Sequence, residues 1–309
     1  MKQQLRIAVL VTAVADPAIS SKHGTFFDMF NQVFQQALVD SRHNDKTAIY
    51  QNEKDILAMN LDLDFVPFDV VHDPPHYPTM TDIDTGKYHG IIITGSTDTA
   101  AANTPWTLQL IQFIKDLQLP KQQQQQQQHR FKVPLIGVCY GHQIIARALG
   151  GTCERNPNGW EFGPTTIHLT PQGQSYLQTG DKTTMCLNQI HEDYVPSLPA
   201  GFLRLATTEP HTSIQAMVST DGRCITVQGH PEIPCDATAT FLDRLSSCIP
   251  HTVVQDARSR LDNHSAQHMD DLWFAGKLLR FLLGQLPSPS SSSLNGDEQA
   301  VPSIPLSNI

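Results

Sequence analysis

Cys139 stands in the run Gly137-Val138-Cys139-Tyr140-Gly141, with a glycine two residues away on either side. A small-x-nucleophile-x-small turn between a strand and a helix is the nucleophile elbow. The glycines let the backbone fold tightly, so that the central side chain stands exposed. A helix that begins directly after the cysteine supplies free N–H groups and a positive dipole end, and both favour a thiolate. The competing reading is a passive thiol in an ordinary strand-turn-helix, because free cysteine is among the most buried residue types. A cysteine nucleophile needs a base, and the base needs an orienting group. Gln228-Gly229-His230-Pro231-Glu232 offers both. In an extended His-Pro-Glu, positions 230 and 232 point to the same side. Glu232 can then hold one ring nitrogen of His230 while the other faces the thiol. His142 is too close to Cys139 to be that base, since a helix turns its side chain away.

These residues require a strand before the cysteine, a helix after it, and a second strand before His230. Val133 to Val138 is an apolar run that suits a buried parallel strand. Ile144, Ile145, Ala148 and Leu149 give the following helix an apolar face, and Gly150-Gly151 ends it where a left-handed cap wants glycine. Arg223 to Gln228 is the strand that leads to His230, so the histidine falls at a strand's carboxyl end, where open α/β sheets place their sites.

Upstream, Leu5–Val11, Leu63–Val71 and Tyr88–Thr94 read as strands. Thr25–Val39 and Pro105–Leu119 read as helices, the second capped by Thr104. Asp16–Gly24 and Asp40–Glu53 read as polar loops. Downstream, short runs at Thr165–Leu169, Thr184–Ile190, Leu203–Thr207 and Ser213–Ser219 predict an antiparallel extension of the sheet. Asp236–Cys248 and Gln267–Leu283 predict two further helices. The fold class is therefore α/β, a three-layer sandwich with a mostly parallel central sheet, a nucleophile elbow and an antiparallel extension. Residues 1–286 form one domain. The glutamine tract is a surface-loop insertion over 121–130, and 287–309 is a disordered Ser/Pro-rich tail.

Composition excludes several classes. The chain of 309 residues carries a formal charge of −9 and no basic patch, which argues against a nucleic-acid partner. No apolar run approaches a membrane span, and Ile7–Val14 is too short for a signal peptide, so the expected location is cytoplasmic. The six cysteines lack metal-ligand spacing and read as reduced thiols, with Cys153 and Cys186 packed in the core. The fourteen histidines are dispersed as well. No metal and no cofactor is required.

GVCYGHQ with a downstream QGHPE resembles the class I glutamine amidotransferase family and its Cys-His-Glu triad. The likeness runs from the first strand to the helix after Pro234 and is greatest for free-standing fungal members and plant γ-glutamyl peptidases. ITGSTDTAAANTPWTLQLIQFI, NGWEFG and IHEDYV match further family segments. The resemblance implies a flavodoxin-like class I glutaminase fold. It implies that Cys139 attacks a γ-glutamyl carbonyl to give a thioester, with His230 and Glu232 completing the triad. Backbone N–H groups of Tyr140 and of Gly95 or Ser96 would hold the oxyanion. Gln143, His191, Glu192 and Asp193 would bind the substrate, and Glu161 either binds substrate or ends a strand. The sequence departs from the family at Gly95-Ser96-Thr97-Asp98, where Gly-Gly-Pro or Gly-Pro-Gly is common, and at His191-Glu192-Asp193, where the family has His-Gly-Asp.

Three functions follow as alternatives. One is a stand-alone hydrolase of glutamine or a γ-glutamyl peptide. Another is a glutaminase subunit that delivers ammonia to a separate synthetase. The third is a non-catalytic binding protein on the same fold. The intact Cys-His-Glu set disfavours the third.

Overall fold

A computed structural model describes residues 3–43, 61–118, 133–263 and 269–289. The glutamine tract, the tail from 290 and most of the expected 40–53 loop lie outside the described residues. The strands are β1 (Gln3–Val11), β2 (Leu61–Asp69), β3 (Gly90–Ile93), β4 (Leu135–Val138), β5 (Glu154–Arg155), β6 (Glu161–Leu169), β7 (Thr184–His191), β8 (Asp193–Tyr194), β9 (Phe202–Thr207), β10 (Ala216–Ser219) and β11 (Cys224–Val227). The helices are α1 (Pro17–His23), α2 (Phe26–His43), α3 (Met80–Asp84), α4 (Pro105–Gln118), α5 (Tyr140–Ala148), α6 (Pro171–Leu177), α7 (Cys235–Leu245), α8 (His251–Asn263) and α9 (Asp271–Leu282).

Nine strands form one sheet in the order β2-β1-β3-β4-β11-β10-β9-β6-β7. The run from β2 to β11 is parallel, and from β11 to β7 every pairing is antiparallel. Alternation along β1 sorts the core into two layers. Leu5, Ile7 and Val9 face Phe30 and Phe34 of α2 and Phe274 and Leu278 of α9. Ala8 and Leu10 face the other way, into the layer that holds Leu110 and Ile114 of α4 and Ile144 and Ile145 of α5. A third apolar group packs Ile19 and Phe26 against Phe162, Ile233, Phe241 and Leu242, beside the carboxyl ends of the central strands.

Several elements differ from expectation for local reasons. Asp16–Gly24 holds helix α1: the Asp16 carboxylate accepts the Ala18 N–H at 2.8 Å, and Pro17 occupies the first turn. Strand β6 begins at Glu161 instead of Thr165, although Gly163 and Pro164 fall within it. Here β6 pairs only with β7, since β9 meets it at His168 and Leu169. A proline is tolerated on such an edge. Arg260 of α8 takes up the free carbonyls of Phe162, at 2.7 Å, and of Pro164. Helices α6 and α8 fall where no helix was expected, and Pro234 stands at the cap of α7. No described helix is long and apolar enough to cross a membrane.

Candidate active site

The β4–α5 turn is as tight as its sequence predicts. Cys139 has φ 50° and ψ −105°, one of two described non-glycine residues with positive φ. Such a conformation is costly for a residue with a Cβ and persists only where its surroundings enforce it. They do so through both flanking glycines. A Cβ on Gly141 would overlap the Ile93 carbonyl oxygen, and one on Gly137 would lie 2.5 Å from the Gly141 oxygen. The backbone is pinned as well: Cys139 N–H donates to Val227 O at 2.9 Å and Gly141 N–H to Thr94 O at 3.2 Å. Tyr140 is the first residue of α5, so its amide belongs to those that a helix start leaves without an intrahelical acceptor. Its ring is buried, stacked on Trp106 at 5.3 Å. The Cys139 side chain differs from expectation: it is only 5 % exposed, at the floor of a cavity and not on open surface.

His230 follows β11, the strand beside β4, so both residues leave neighbouring strand ends. Its Nδ1 is 2.8 Å from Glu232 Oε1, and both side chains are buried. Burial is the largest single influence on His230 and works against its cation. The Glu232 and Cys139 charges and their hydrogen bonds to the ring outweigh it and raise the imidazole pKa to about 10. Asn188 holds this loop at both ends, accepting His230 N–H at 2.8 Å and donating from Nδ2 to Ile233 O at 2.9 Å. Nothing in the spacing of the sequence singles out Asn188.

The loop after β3 closes the opposite side. Gly95 lies against the His230 ring, where an added Cβ would sit 2.9 Å from Cε1. Its carbonyl is turned away, accepting the hydroxyls of Thr12 at 2.7 Å and Thr94 at 3.1 Å. Ser96 Oγ donates to Thr12 O at 2.8 Å and so fixes the next residue.

The expected substrate residues line the cavity, but two of them hold the chain in place. Gln143 Nε2 and His191 Nδ1 both donate to the Asp193 carbonyl, at 2.8 Å and 3.0 Å. His191 Nε2 is 3.0 Å from Glu161 Oε2, across the β6–β7 pairing that sets Glu161 opposite His191. Burial alone would raise the Glu161 carboxyl. The His191 hydrogen bond and charge, helped by Thr208 and His211, hold it below the usual carboxylate range. Glu161 stands at the start of β6, and its carboxylate is engaged by His191 and Gln215. Glu192 pairs with Arg155, and Asp193 accepts the Thr99 hydroxyl and lies 3.3 Å from Arg155 Nε. Arg155, overlooked in the sequence, is the cation at the mouth.

His142 is fully buried, with Nδ1 2.7 Å from Thr226 Oγ1 and its pKa lowered to about 3 by burial and then by the His191 charge. It is not among the residues that line the cavity at Cys139. Burial pushes the Cys153 and Cys186 thiols up, to about 12 and about 11, which fits inert core residues.

Cys139, His230, Gly95, Ser96, Gln143 and the 191–193 segment share one cavity of about 400 Å³. One flank is polar, built from residues 96–99 and 191–193 with Arg155, and the other is apolar, built from Phe26, Trp160, Ile233, Phe241 and Leu245. A thiol, a raised imidazole with a fixed carboxylate, and the Tyr140 amide at a helix start can together carry acyl transfer through a thioester.

The description "Glutamine amidotransferase class-I" fits residues 49–242. A glutamine amidotransferase-like protein of Schizosaccharomyces pombe is 28% identical over 282 residues, covering 90% of this chain and 98% of its own. Gamma-glutamyl peptidase 4 of Arabidopsis thaliana is 26% identical, covering 69% of this chain and 79% of its own. Among solved structures, a glutamine amidotransferase from Thermotoga maritima superposes with a TM-score of 0.59 at 18% identity, over 92% of this chain and 98% of that one. At that identity the match speaks to the fold alone.

Proposed function

The chain belongs to the class I glutamine amidotransferase family, and we propose on that premise that it hydrolyses the γ-glutamyl amide bond of glutamine or a γ-glutamyl peptide. One observation carries the reading: Cys139, in its positive-φ turn, and His230, held by the buried Glu232, line one cavity.

The Cys139 thiolate attacks the side-chain carbonyl carbon, and the carbonyl oxygen takes the negative charge. Two backbone amides receive it. Tyr140 supplies the first. For the second, the Gly95 carbonyl bonds to Thr12 and Thr94. A trans peptide sets the following N–H opposite its carbonyl, so the geometry favours Ser96 over Gly95. His230, holding its proton through neutral pH, passes it to the departing nitrogen as the carbon–nitrogen bond breaks. The amine leaves and the glutamyl thioester remains. His230, now neutral, takes a proton from water, the hydroxide attacks the thioester, and glutamate departs with the thiol restored. Glu232 keeps the imidazole in one tautomer throughout. The His191-to-Asp193 segment, braced by Glu161 and Gln143, receives the amino-acid end. The free thiols of the chain suit a reducing compartment, which favours a cytoplasmic location.

Incubation with a diazo-ketone analogue of glutamine, followed by peptide mass spectrometry, tests the scheme. One adduct on Cys139, and no γ-glutamyl hydrolysis by Cys139→Ala, are the expected results. A folded protein that is left unlabelled, or wild-type turnover by the variant, overturns it.

A further inference from the structure

Glutamine releases ammonia, which needs no wall to hold it. The cavity nevertheless has an extended apolar flank, and that flank is connected to the residue that must protonate the leaving nitrogen. From His230 the chain runs through Glu232 to Ile233 and then into α7, which brings Phe241 and Leu245 to the cavity. Phe26, from the start of α2, stacks on Phe241 with ring centroids 6.3 Å apart and 13° between planes. Trp160 completes the flank. Ile233, Phe241 and Phe26 are buried, while Leu245 and Trp160 are half-buried, so the flank is a fixed surface with an accessible edge. A cavity of about 400 Å³ falls in the range that encloses ligands well above glutamine in size.

We propose that this flank is the subsite for the leaving group, and that the substrates are γ-glutamyl conjugates of apolar amines or apolar amino acids. The proposal rests on the γ-glutamyl hydrolysis put forward above and specifies its substrate. With the γ-glutamyl carbonyl over Cys139 and the amide nitrogen at His230, the nitrogen's substituent extends along Ile233 towards Phe241 and Leu245. Covering that apolar surface removes it from water, and the gain grows with the apolar area of the substituent. The step stays balanced: His230 gives its proton to the amide nitrogen, the free amine leaves along the apolar flank, and water resolves the thioester.

The test compares kcat/KM for glutamine, γ-glutamyl-glycine, γ-glutamyl-leucine and γ-glutamyl-phenylalanine, in the wild type and in Leu245→Asp and Leu245→Ala. The leucine and phenylalanine conjugates should exceed the glycine conjugate by roughly tenfold or more, the scale on which an apolar pocket discriminates. That ratio should collapse in Leu245→Asp and shrink in Leu245→Ala. A ratio taken within one preparation is unaffected by how much of a variant folds. Equal turnover of all four compounds, or a preference that survives Leu245→Asp, overturns the leaving-group subsite and leaves the Cys139 chemistry standing. No turnover of any of them, with no diazo-ketone adduct on Cys139, overturns the hydrolase reading itself.

Discussion

At the scale of residues, the His230–Glu232 pair controls where the proton resides. Burial opposes an imidazolium, and the carboxylate and thiol reverse that, so the pKa rises from 6.5 to about 10. A raised imidazole pKa favours the folded state fully below pH 6.5, and this contribution is lost as pH climbs through about 10. Catalysis follows the same sign, because donation to the leaving nitrogen needs the protonated ring. Glu232→Gln removes the charge that raises the pKa. We expect its alkaline limb of kcat to move to lower pH, with a smaller loss of turnover than in His230→Ala, where the loss should reach roughly 10²–10⁴-fold. A pH–rate profile of both variants checks this; an unmoved alkaline limb in Glu232→Gln would assign the carboxylate another role. Cys139, His230 and Glu232 were legible in the sequence because each signal is local: a glycine-flanked turn, and two residues on one side of an extended tripeptide. The Glu161–His191 contact was not. It spans thirty positions in the chain and exists only because of the β6–β7 register. Asn188 was hidden for the same reason, since it acts on His230 and Ile233 across a strand boundary.

At the scale of elements, the site depends on how closely α5 approaches the sheet. Gly141 lets the first turn of that helix rest on the end of β3, and its amide bonds to Thr94. Gly141→Ala would drive a methyl group into the Ile93 carbonyl, which is backbone and cannot move aside alone. Overpacking of this kind costs about 1–3 kcal/mol, or a melting temperature lower by about 2–12 °C. Turnover should fall further than stability does, on the order of a hundredfold, because Cys139 shifts relative to His230 and the oxyanion amides. Calorimetry alongside turnover corrected for folded fraction separates the two effects. A variant that melts normally and works normally would show that the elbow tolerates the methyl group. The strand-turn-helix was readable because apolar run, glycine spacing and helical period all agree there. Elements with conflicting signals were not. Gly163-Pro164 reads as a break but lies on an edge where Arg260 receives the freed carbonyls, and α1 is too polar to show a core face despite its Asp16-Pro17 start.

At the scale of the whole molecule, the C-terminal helix is as much a part of the core as the first strand. Helix α9 lies beyond the segment that fits the family description, which ends at residue 242. Yet Phe274, Leu278 and Leu279 are buried in the same apolar layer as Leu5, Ile7 and Phe30, and Leu282 occupies the space that a Cβ on Gly90 would need. Gly90 begins β3, the strand whose far end leads to Gly95 and Ser96. A helix far along the chain therefore braces the strand that leads to Gly95 and Ser96, and we propose that the described residues up to 286 fold as one unit. Phe274 is fully buried, and Phe274→Ala should cost about 3–5 kcal/mol. If the unit is single, the whole denaturation curve moves to lower denaturant, and the diazo-ketone reactivity of Cys139 disappears at the same midpoint as the helical signal. If Cys139 stays reactive beyond the midpoint at which α9 is lost, the helix is an appendage and the site rests on a smaller core than this packing supports.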